Sequence, residues 1–246
     1  MKLAILSDIH GNLPALEAVL ADVARRGADV TVNLGDIVSG PLQPLETARR
    51  LMPLDIVAIR GNHERQLLTL RPQEMSASDR FAHAALDDAA RAWLASLPQT
   101  LLLGDDVLLA HGTPDSDSAY FLETVEPAGC RPATPEEAAA RAGAARASLI
   151  LCGHTHTPRL TRLPDGRLAL NPGSVGLPAL RGSSPWPHVT GAGSPHARYA
   201  TAERRAGGWD VSFHAVAYDW DRAAAIALRN GRPDWAHTLR AGWPQP

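Results

Sequence analysis

Short apolar runs alternate with amphipathic helical patterns along most of the chain. Four runs have the length and continuity of buried strands, at residues 3–6, 30–34, 56–59 and 148–152. Apolar runs joined by short polar turns predict two hairpins, at 101–110 and 159–170, and alternating stretches predict strands at 198–202 and 211–218. This alternation of strands and helices favours an α/β fold.

Apolar residues at helical spacing predict the helices between these strands. The predicted helices are at residues 13–26, 44–51, 78–97, 134–146 and 219–229. Gly27 closes the first of them. Thr134 and Glu137 form a capping box around Pro135 at the first helical position, which marks the start of the fourth.

The length and apolar content of the chain predict one large folded unit. The chain has 246 residues, of which 45% are apolar, so it can bury a full core. No composition break divides it, and we expect a single domain over residues 1–246 with more than one sheet. Residues 182–194 are rich in Gly, Ser and Pro and predict a loop.

Charge and cysteine content exclude several classes of protein. The chain has 24 Lys and Arg against 26 Asp and Glu, a net charge of −2, which argues against a strongly basic nucleic-acid binder. Cys130 and Cys152 are too few for a disulfide framework. The first apolar run leads directly into Asp8 without room for a signal peptide, and no apolar run could span a bilayer. We therefore expect a cytoplasmic protein that does not associate with membranes.

Residues that can bind a metal follow five of the predicted strands. The five groups are Asp8-Ile9-His10, Gly35-Asp36, Gly61-Asn62-His63-Glu64, His111-Gly112 and Gly153-His154-Thr155-His156. In extended chain, residues i and i+2 point the same way, so Asp8 and His10 can face one point, as can His154 and His156. Because sites in α/β sheets assemble at strand ends, we expect the groups to converge.

The candidate ligands offer only oxygen and nitrogen atoms. They are Asp8, His10, Asp36, Asn62, His111, His154 and His156. Such ligands suit Mn²⁺, Fe, Co²⁺, Ni²⁺ or Zn²⁺ better than a soft metal, and they are too many for one ion. They fit two divalent ions that share a carboxylate, and such a site favours hydroxide and an anionic substrate such as a phosphate ester.

The same five groups, in this order, resemble the calcineurin-like metallophosphoesterase family. They cover roughly the first two thirds of the chain. Residues 35–41, residues 171–176 and Tyr218-Asp219 further resemble its small bacterial phosphodiesterase-like branch. The resemblance implies a four-layer αββα sandwich with two mixed β-sheets.

The resemblance also implies roles for individual residues. The first metal would be held by Asp8, His10, Asp36 and His156. The second metal would be held by Asp36, Asn62, His111 and His154, with Asp36 shared. His63 matches the family residue that protonates the leaving alcohol or contacts the phosphate.

The chain departs from the protein phosphatases of the wider family after the bridging aspartate. Ser39, Gly40 and Pro41 stand where those proteins carry an Asp and an Arg, so the residue that orients His63 is not identified. A phosphoprotein substrate is correspondingly disfavoured. The candidates to bind substrate phosphate are Arg65 and Arg181, with Arg60 a third.

Three other features have a structural interpretation beside a functional one. We interpret Glu64 as a helix cap rather than a metal ligand. Asn171-Pro172-Gly173 forms either a tight turn or a backbone platform in the cleft. Trp186 either packs the C-terminal layer or stacks on substrate.

These observations predict a dinuclear metal-dependent phosphoesterase. It would hydrolyse a small phosphodiester or phosphomonoester by attack of a metal-bound hydroxide, with two divalent ions and Mn²⁺ as the favoured metal. Two alternatives stay open, a dinucleotide pyrophosphohydrolase and a non-catalytic metal-binding scaffold of the same fold. The sequence carries no strong signal for nucleic-acid binding.

Overall fold

Two five-stranded sheets form the frame of the protein. The computed structural model describes residues 1–245. Its strands are β1 (Lys2–Leu6), β2 (Val30–Asn33), β3 (Ile56–Ala58), β4 (Leu101–Leu103), β5 (Val107–Leu109), β6 (Glu123–Glu126), β7 (Gly129–Pro132), β8 (Leu149–Leu151), β9 (Arg159–Arg162), β10 (Leu168–Asn171), β11 (Ala179–Gly182), β12 (His188–Gly191), β13 (Ala197–Arg205) and β14 (Gly208–Val216). Its helices are α1 (Leu13–Arg26), α2 (Pro44–Leu51), α3 (Asn62–Thr69), α4 (Ala77–Ala85), α5 (Asp88–Ser96), α6 (Pro135–Ala142), α7 (Trp220–Arg229) and α8 (Pro233–Ala241).

The first sheet has the strand order β14-β13-β1-β2-β3. β1, β2 and β3 are parallel, with Leu3 opposite Val30 and Thr31 opposite Ile56. β13 runs antiparallel to both β1 and β14. The C-terminal ends of β1, β2 and β3 therefore lie at one end of the sheet.

The second sheet has the order β4-β5-β8-β10-β9. Its three central strands are parallel, with Leu149 opposite both Val107 and Leu168. The outer strands β4 and β9 are antiparallel to their neighbours. Two further pairs, β6–β7 and β11–β12, form separate two-stranded sheets.

Apolar side chains from both sheets pack against each other in the centre of the molecule. This core includes Leu3, Val32, Leu109, Leu151 and Ala200. Helices α1, α2 and α5 cover the outer face of the first sheet, and α6 covers the outer face of the second. The layer order helix, sheet, sheet, helix confirms the expected αββα sandwich with two mixed sheets.

The predicted helix at 78–97 is wrong as a single element. The chain leaves helical geometry at Leu86, and Asp87 begins a new helix by accepting a hydrogen bond from the Ala90 amide at 2.8 Å. Neither Gly nor Pro marks this break. Helix α8, for which no helical pattern is predicted, packs on α7 through Trp235 and Leu239.

The predicted loop at 182–194 is wrong in part, because β12 lies within it. Leu180 pairs with Thr190 and Gly182 with His188, so only residues 183–187 form the turn of a hairpin. β12 has only four residues, too few to show an alternating apolar and polar pattern among the surrounding Gly, Ser and Pro residues. The hairpin lies beside the strand ends that carry the candidate ligands.

No helix in residues 1–245 combines the length and the apolar character needed to cross a bilayer. Cys130 and Cys152 are both free thiols. The cytoplasmic location and the single-domain organisation stay predictions.

Candidate metal centre

The candidate ligands follow the C-terminal ends of parallel strands in both sheets. Asp8 and His10 follow β1, Asp36 follows β2 and Asn62 follows β3. His111 follows β5, while His154 and His156 follow β8. Because the two sheets face each other, their strand ends bring these residues to one place.

Two groups of side chains have the spacing of metal sites. Ligand atoms of Asp8, His10 and His156 lie within 4.8 Å of one another, as do those of Asp36, His111 and His154. A third group with this spacing combines His10 and Asp36 with His63, which places the three sets side by side. The structure therefore brings together the aspartate and histidine side chains of the two predicted ligand sets.

Backbone strain is concentrated at the same residues. Within residues 1–245, the non-glycine residues with a positive φ are Asp8, His10, Asp36, His154 and His156, with φ between 51° and 68°. Left-handed backbone is unfavourable for residues with a Cβ, and it clusters at functional sites where the surrounding structure holds it in place. All five are candidate ligands, so positioning them costs local backbone stability.

Each of the four candidate histidine ligands donates a ring N–H to a backbone carbonyl. The pairs are His10 Nδ1 with Ser39 at 2.7 Å, His111 Nδ1 with Leu34 at 2.7 Å, His156 Nδ1 with Leu177 at 2.7 Å and His154 Nε2 with Ser118 at 3.0 Å. A carbonyl oxygen can only accept, so these bonds fix the tautomer of each neutral ring. The other ring nitrogen of each histidine then carries the lone pair that a metal requires.

Several ring nitrogen and amide oxygen atoms at the candidate centre have no suitable hydrogen-bond partner. The Nε2 atoms of His10 and His156 lie 3.1 Å apart, although both rings already donate through Nδ1. His111 Nε2 and Asn62 Oδ1 are buried and make no hydrogen bond with the described residues. His111 Nε2 lies 3.1 Å from Asp36 Oδ2. Facing lone pairs and buried unpaired acceptors are costly, and bound cations would satisfy all of them.

The charges at the centre favour bound cations. Burial raises the pKa of Asp8, but His156 and His111 outweigh it and hold the pKa at about 2. Burial lowers the pKa of His111, whereas Asp36 raises it to about 10. The carboxylates thus create a negative potential at His111 that attracts a proton, and a metal bound to its ring would replace that proton.

Glu64 holds the segment that carries Asp36. Its buried carboxylate accepts hydrogen bonds from the amides of Asp36 and Ile37, both at 2.8 Å, and from Gly61 at 2.9 Å. A Cβ on Gly61 would lie 2.2 Å from Asp36 Oδ1, so only glycine fits there. The contacts agree with the capping interpretation of Glu64 and extend it, because the same carboxylate joins the ends of β2 and β3.

Asp79 is a site residue that the sequence analysis missed. Its Oδ1 lies 2.7 Å from His63 Nδ1 and accepts a hydrogen bond from Ser39 Oγ at 2.6 Å. Burial lowers the pKa of His63, but Asp36 and Asp79 raise it to about 9. Asp79 therefore orients His63. The Ser76-Asp79 spacing indicates only a helix start, and nothing in it shows which way α4 points.

Residues 171–177 support the segments that carry the candidate ligands. Asn171 Nδ2 donates to the Gly153 carbonyl at 2.7 Å and to Thr155 Oγ1 at 3.0 Å. Ser174 Oγ donates to the Asp8 carbonyl at 2.8 Å. These contacts agree with the structural interpretation of this segment, because they lock the turns that hold Asp8 and His154.

The three arginine candidates have different surroundings. Arg65 forms a two-bond ion pair with Asp117, at 2.6 and 2.9 Å, and donates to Ser118 Oγ. Its charge is therefore already paired, and it fixes the loop whose Ser118 carbonyl holds His154. Arg60 is absent from the lining of the cavity over the centre, whereas Arg181 contributes to it.

A cavity of about 240 Å³ lies over the candidate centre, and we call it the central cavity. Its lining includes His10, Asp36, His63, His154 and His156, together with Arg181 and Trp235. It is open to solvent and large enough to admit a phosphate group beside the candidate ligands. The exposed side chain of Trp186 is absent from this lining.

Comparisons with known proteins agree with this architecture. A metallophosphoesterase structure from Sphaerobacter thermophilus superposes with a TM-score of 0.74 at 27% identity, over 98% of this chain and 100% of that chain. The uncharacterized protein MJ0912 of Methanocaldococcus jannaschii is 24% identical over 263 residues, covering 95% of this chain and 94% of its own.

Two further findings cover smaller parts of the chain. Phosphodiesterase YfcE of Escherichia coli is 43% identical over 72 residues, which are 25% of this chain and 39% of YfcE. The model of the calcineurin-like phosphoesterase superfamily domain matches residues 1–186, which include all the candidate ligands. The chain belongs to the calcineurin-like phosphoesterase superfamily.

Proposed function

We propose that the protein is a phosphoesterase that uses two divalent metal ions, with Mn²⁺ as the favoured metal. The observation that carries this proposal is the arrangement of four histidine rings, each fixed by a backbone carbonyl, around Asp8 and Asp36. The local identity with phosphodiesterase YfcE supports the same class of reaction. The substrate is a small phosphodiester or phosphomonoester.

The two ligand groups divide between the two ions. Asp8, His10, Asp36 and His156 would hold the first ion. Asp36, Asn62, His111 and His154 would hold the second ion. When bound, such ions supply positive charge to phosphate oxygens and lower the pKa of water at the centre.

Two further side chains act on the substrate in this proposal. His63, oriented by Asp79, lies in the central cavity, where its imidazolium can donate a proton to the departing alcohol oxygen. Arg181 lines the same cavity and can donate hydrogen bonds to a non-bridging phosphate oxygen. Arg65 contributes indirectly, since its ion pair with Asp117 steadies the loop that holds His154.

Hydrolysis of bis(4-nitrophenyl) phosphate tests the proposal. We expect turnover with added Mn²⁺, loss of turnover after chelation, and recovery when Mn²⁺ is restored. The Asp36→Asn variant should retain less than about half of the bound metal and lose about 100-fold or more in kcat, because one carboxylate serves both ions. Asp105→Asn, at an exposed turn between β4 and β5, is the matched control.

The two alternatives predict different outcomes. Metal retention without turnover of any phosphate ester would indicate a non-catalytic scaffold. Preferred hydrolysis of a dinucleoside polyphosphate over simple diesters would indicate a pyrophosphohydrolase. A folded protein that retains no divalent metal would contradict the proposal itself.

A further inference from the structure

The central cavity continues into two larger cavities. The first, which we call the outer cleft, has a volume of about 870 Å³ and lies between β6, α6 and the turn of the β11–β12 hairpin. The second, the C-terminal cavity, has a volume of about 430 Å³ and lies against α8. Arg181 lines all three cavities.

The central cavity meets its two neighbours through different residues. It shares Tyr120 and His154 with the outer cleft, and Leu177 and Trp235 with the C-terminal cavity. A phosphorus atom held at the metal centre would therefore have space for organic groups in two directions. A phosphomonoester has one such group and would leave one cavity empty, whereas a phosphodiester has two.

A pair of aromatic rings forms part of the outer cleft. His188 Nδ1 donates to the Trp186 carbonyl at 2.7 Å, so its Nε2 accepts from the Tyr120 hydroxyl at 3.0 Å. The ring centroids of Tyr120 and His188 lie 5.4 Å apart. This bonded pair holds the Tyr120 ring in a fixed orientation, and a fixed ring is a suitable surface for a planar group.

The remaining lining of the outer cleft is mostly polar, with excess positive charge. Arg141 and Arg181 contribute two guanidinium groups. The nearby carboxylate of Glu123 is already paired with Arg159 at 2.8 Å. Ser183 and Ser184 add exposed hydroxyl groups at the hairpin turn. A ligand with hydroxyl groups and a phosphate anion fits this lining better than an apolar one.

We propose, on the basis of the phosphoesterase function above, that the outer cleft binds one substituent of a phosphodiester and that this substituent is a nucleoside. The volume of the cleft accommodates a sugar with an attached base. The planar base packs on the face of Tyr120, which His188 holds in place, and the sugar hydroxyls face the polar rim. Arg181, at the junction of the cavities, contacts the phosphate that joins the two substituents.

Two diesters with the same leaving group test this assignment. Thymidine 5′-(4-nitrophenyl) phosphate carries a nucleoside, and methyl 4-nitrophenyl phosphate carries a methyl group in its place. We expect kcat/KM of the wild-type protein to be about tenfold or more higher for the nucleoside diester, because the base gains stacking contacts that the methyl group cannot make.

A variant that fills the outer cleft should remove this preference. Val125 lies on β6 in the cleft lining, so Val125→Trp should lower the ratio of the two kcat/KM values about tenfold. Leu160→Trp is the matched control, since Leu160 is an exposed aliphatic residue on β9, 41% accessible. Its ratio should equal that of the wild-type protein. Tyr120→Leu provides a second test by removing the aromatic surface, and it should also lower the ratio.

Equilibrium binding separates this proposal from the proposed function. Calorimetry of thymidine 5′-monophosphate with metal-free protein should show binding that Val125→Trp weakens about tenfold and Leu160→Trp leaves unchanged. No turnover of either diester by the wild-type protein with Mn²⁺ would contradict the phosphoesterase function, while nucleotide binding would still test the cleft. An unchanged ratio and unchanged binding in folded Val125→Trp and Tyr120→Leu would overturn the cleft assignment.

Discussion

Strained backbone at the candidate ligands has a measurable cost in stability. Each left-handed residue with a Cβ costs on the order of 1 kcal/mol, and five such residues surround the candidate centre. Hydrogen bonds at their carbonyls hold this geometry, such as those that the Asp8 carbonyl accepts from Ser174 Oγ and from the Gly176 amide. For the pairs Asp8/His10 and His154/His156, we interpret the strain as the consequence of placing two ligands only two residues apart after a strand.

Asp79→Asn tests the role of Asp79 in orienting His63. The amide keeps the volume of the side chain but removes the charge that stabilises the protonated ring. We expect kcat for a diester with an alkyl leaving group to fall on the order of 10- to 100-fold, because such a group needs a proton donor. Turnover of a 4-nitrophenyl diester should change far less, since 4-nitrophenolate leaves without protonation.

Comparing turnover of the two diesters distinguishes a loss of His63 positioning from a general disruption of the site. Metal content of Asp79→Asn should match the wild-type protein, and Asp88→Asn, an exposed acidic residue in the first turn of α5, is the control. Equal losses for both leaving groups would contradict the positioning role.

Sequence reasoning succeeds at residues whose chemistry depends on local spacing. Asp8 with His10 is recognisable because the pair follows an apolar strand, and the structure groups their ligand atoms. His154 and His156 are recognisable in the same way, but they lie in different ligand groups, so the expectation that both face one point is wrong. The positive φ values of all four residues show that the backbone is not extended there. Asp79 is not recognisable in this way. It comes from α4, and its contact with His63 depends on how that helix packs beside Ser39, which no local pattern encodes.

At the scale of elements, the start of α3 depends on one buried carboxylate. Glu64→Ala would leave the amides of Asp36, Ile37 and Gly61 without their acceptor. Each buried amide without a partner costs on the order of 1–3 kcal/mol, so we expect a loss of about 3 kcal/mol or more in the free energy of unfolding. Urea denaturation measures it.

The control for Glu64 is a glutamate in the first turn of another helix. Glu136 lies in the first turn of α6 and is exposed, so Glu136→Ala should change stability by less than about 0.5 kcal/mol. Similar losses in the two variants would show that Glu64 acts only through the helix terminus rather than by joining β2 to β3.

Elements with a clear local signal are predictable, and those defined by packing are not. The bounds of α2 follow from its composition, and the start of α6 follows from its capping box. The break between α4 and α5 has no Gly or Pro to mark it, and β12 is too short to show alternation. The αββα layering itself came from resemblance, because strand and helix order alone permits several arrangements of two sheets.

At the scale of the whole molecule, Asp22 joins the outer helical layer to the first sheet. This aspartate of α1 accepts a hydrogen bond from the hydroxyl of the fully buried Tyr199 on β13 at 2.7 Å, and it pairs with Arg26 at 2.7 Å. Burial raises the pKa of Asp22, but the hydrogen bonds from Tyr199, Arg26 and Arg25 outweigh it and lower the pKa from 3.8 to about 2.

A carboxyl with a lowered pKa stabilises the folded state only while it is ionised. The contribution of Asp22 should be complete above about pH 4 and should disappear as the pH falls toward 2. With allowance for solvent screening of the exposed Arg25 and Arg26, we expect Asp22→Asn to lower the free energy of unfolding by about 1–2 kcal/mol at pH 7. Urea denaturation should show this difference shrinking toward zero near pH 2. Asp105→Asn, at an exposed turn, is the control. A difference for Asp22→Asn that stays constant from pH 7 to 2 would show that packing against Tyr199, rather than charge, connects the helical layer to the sheet.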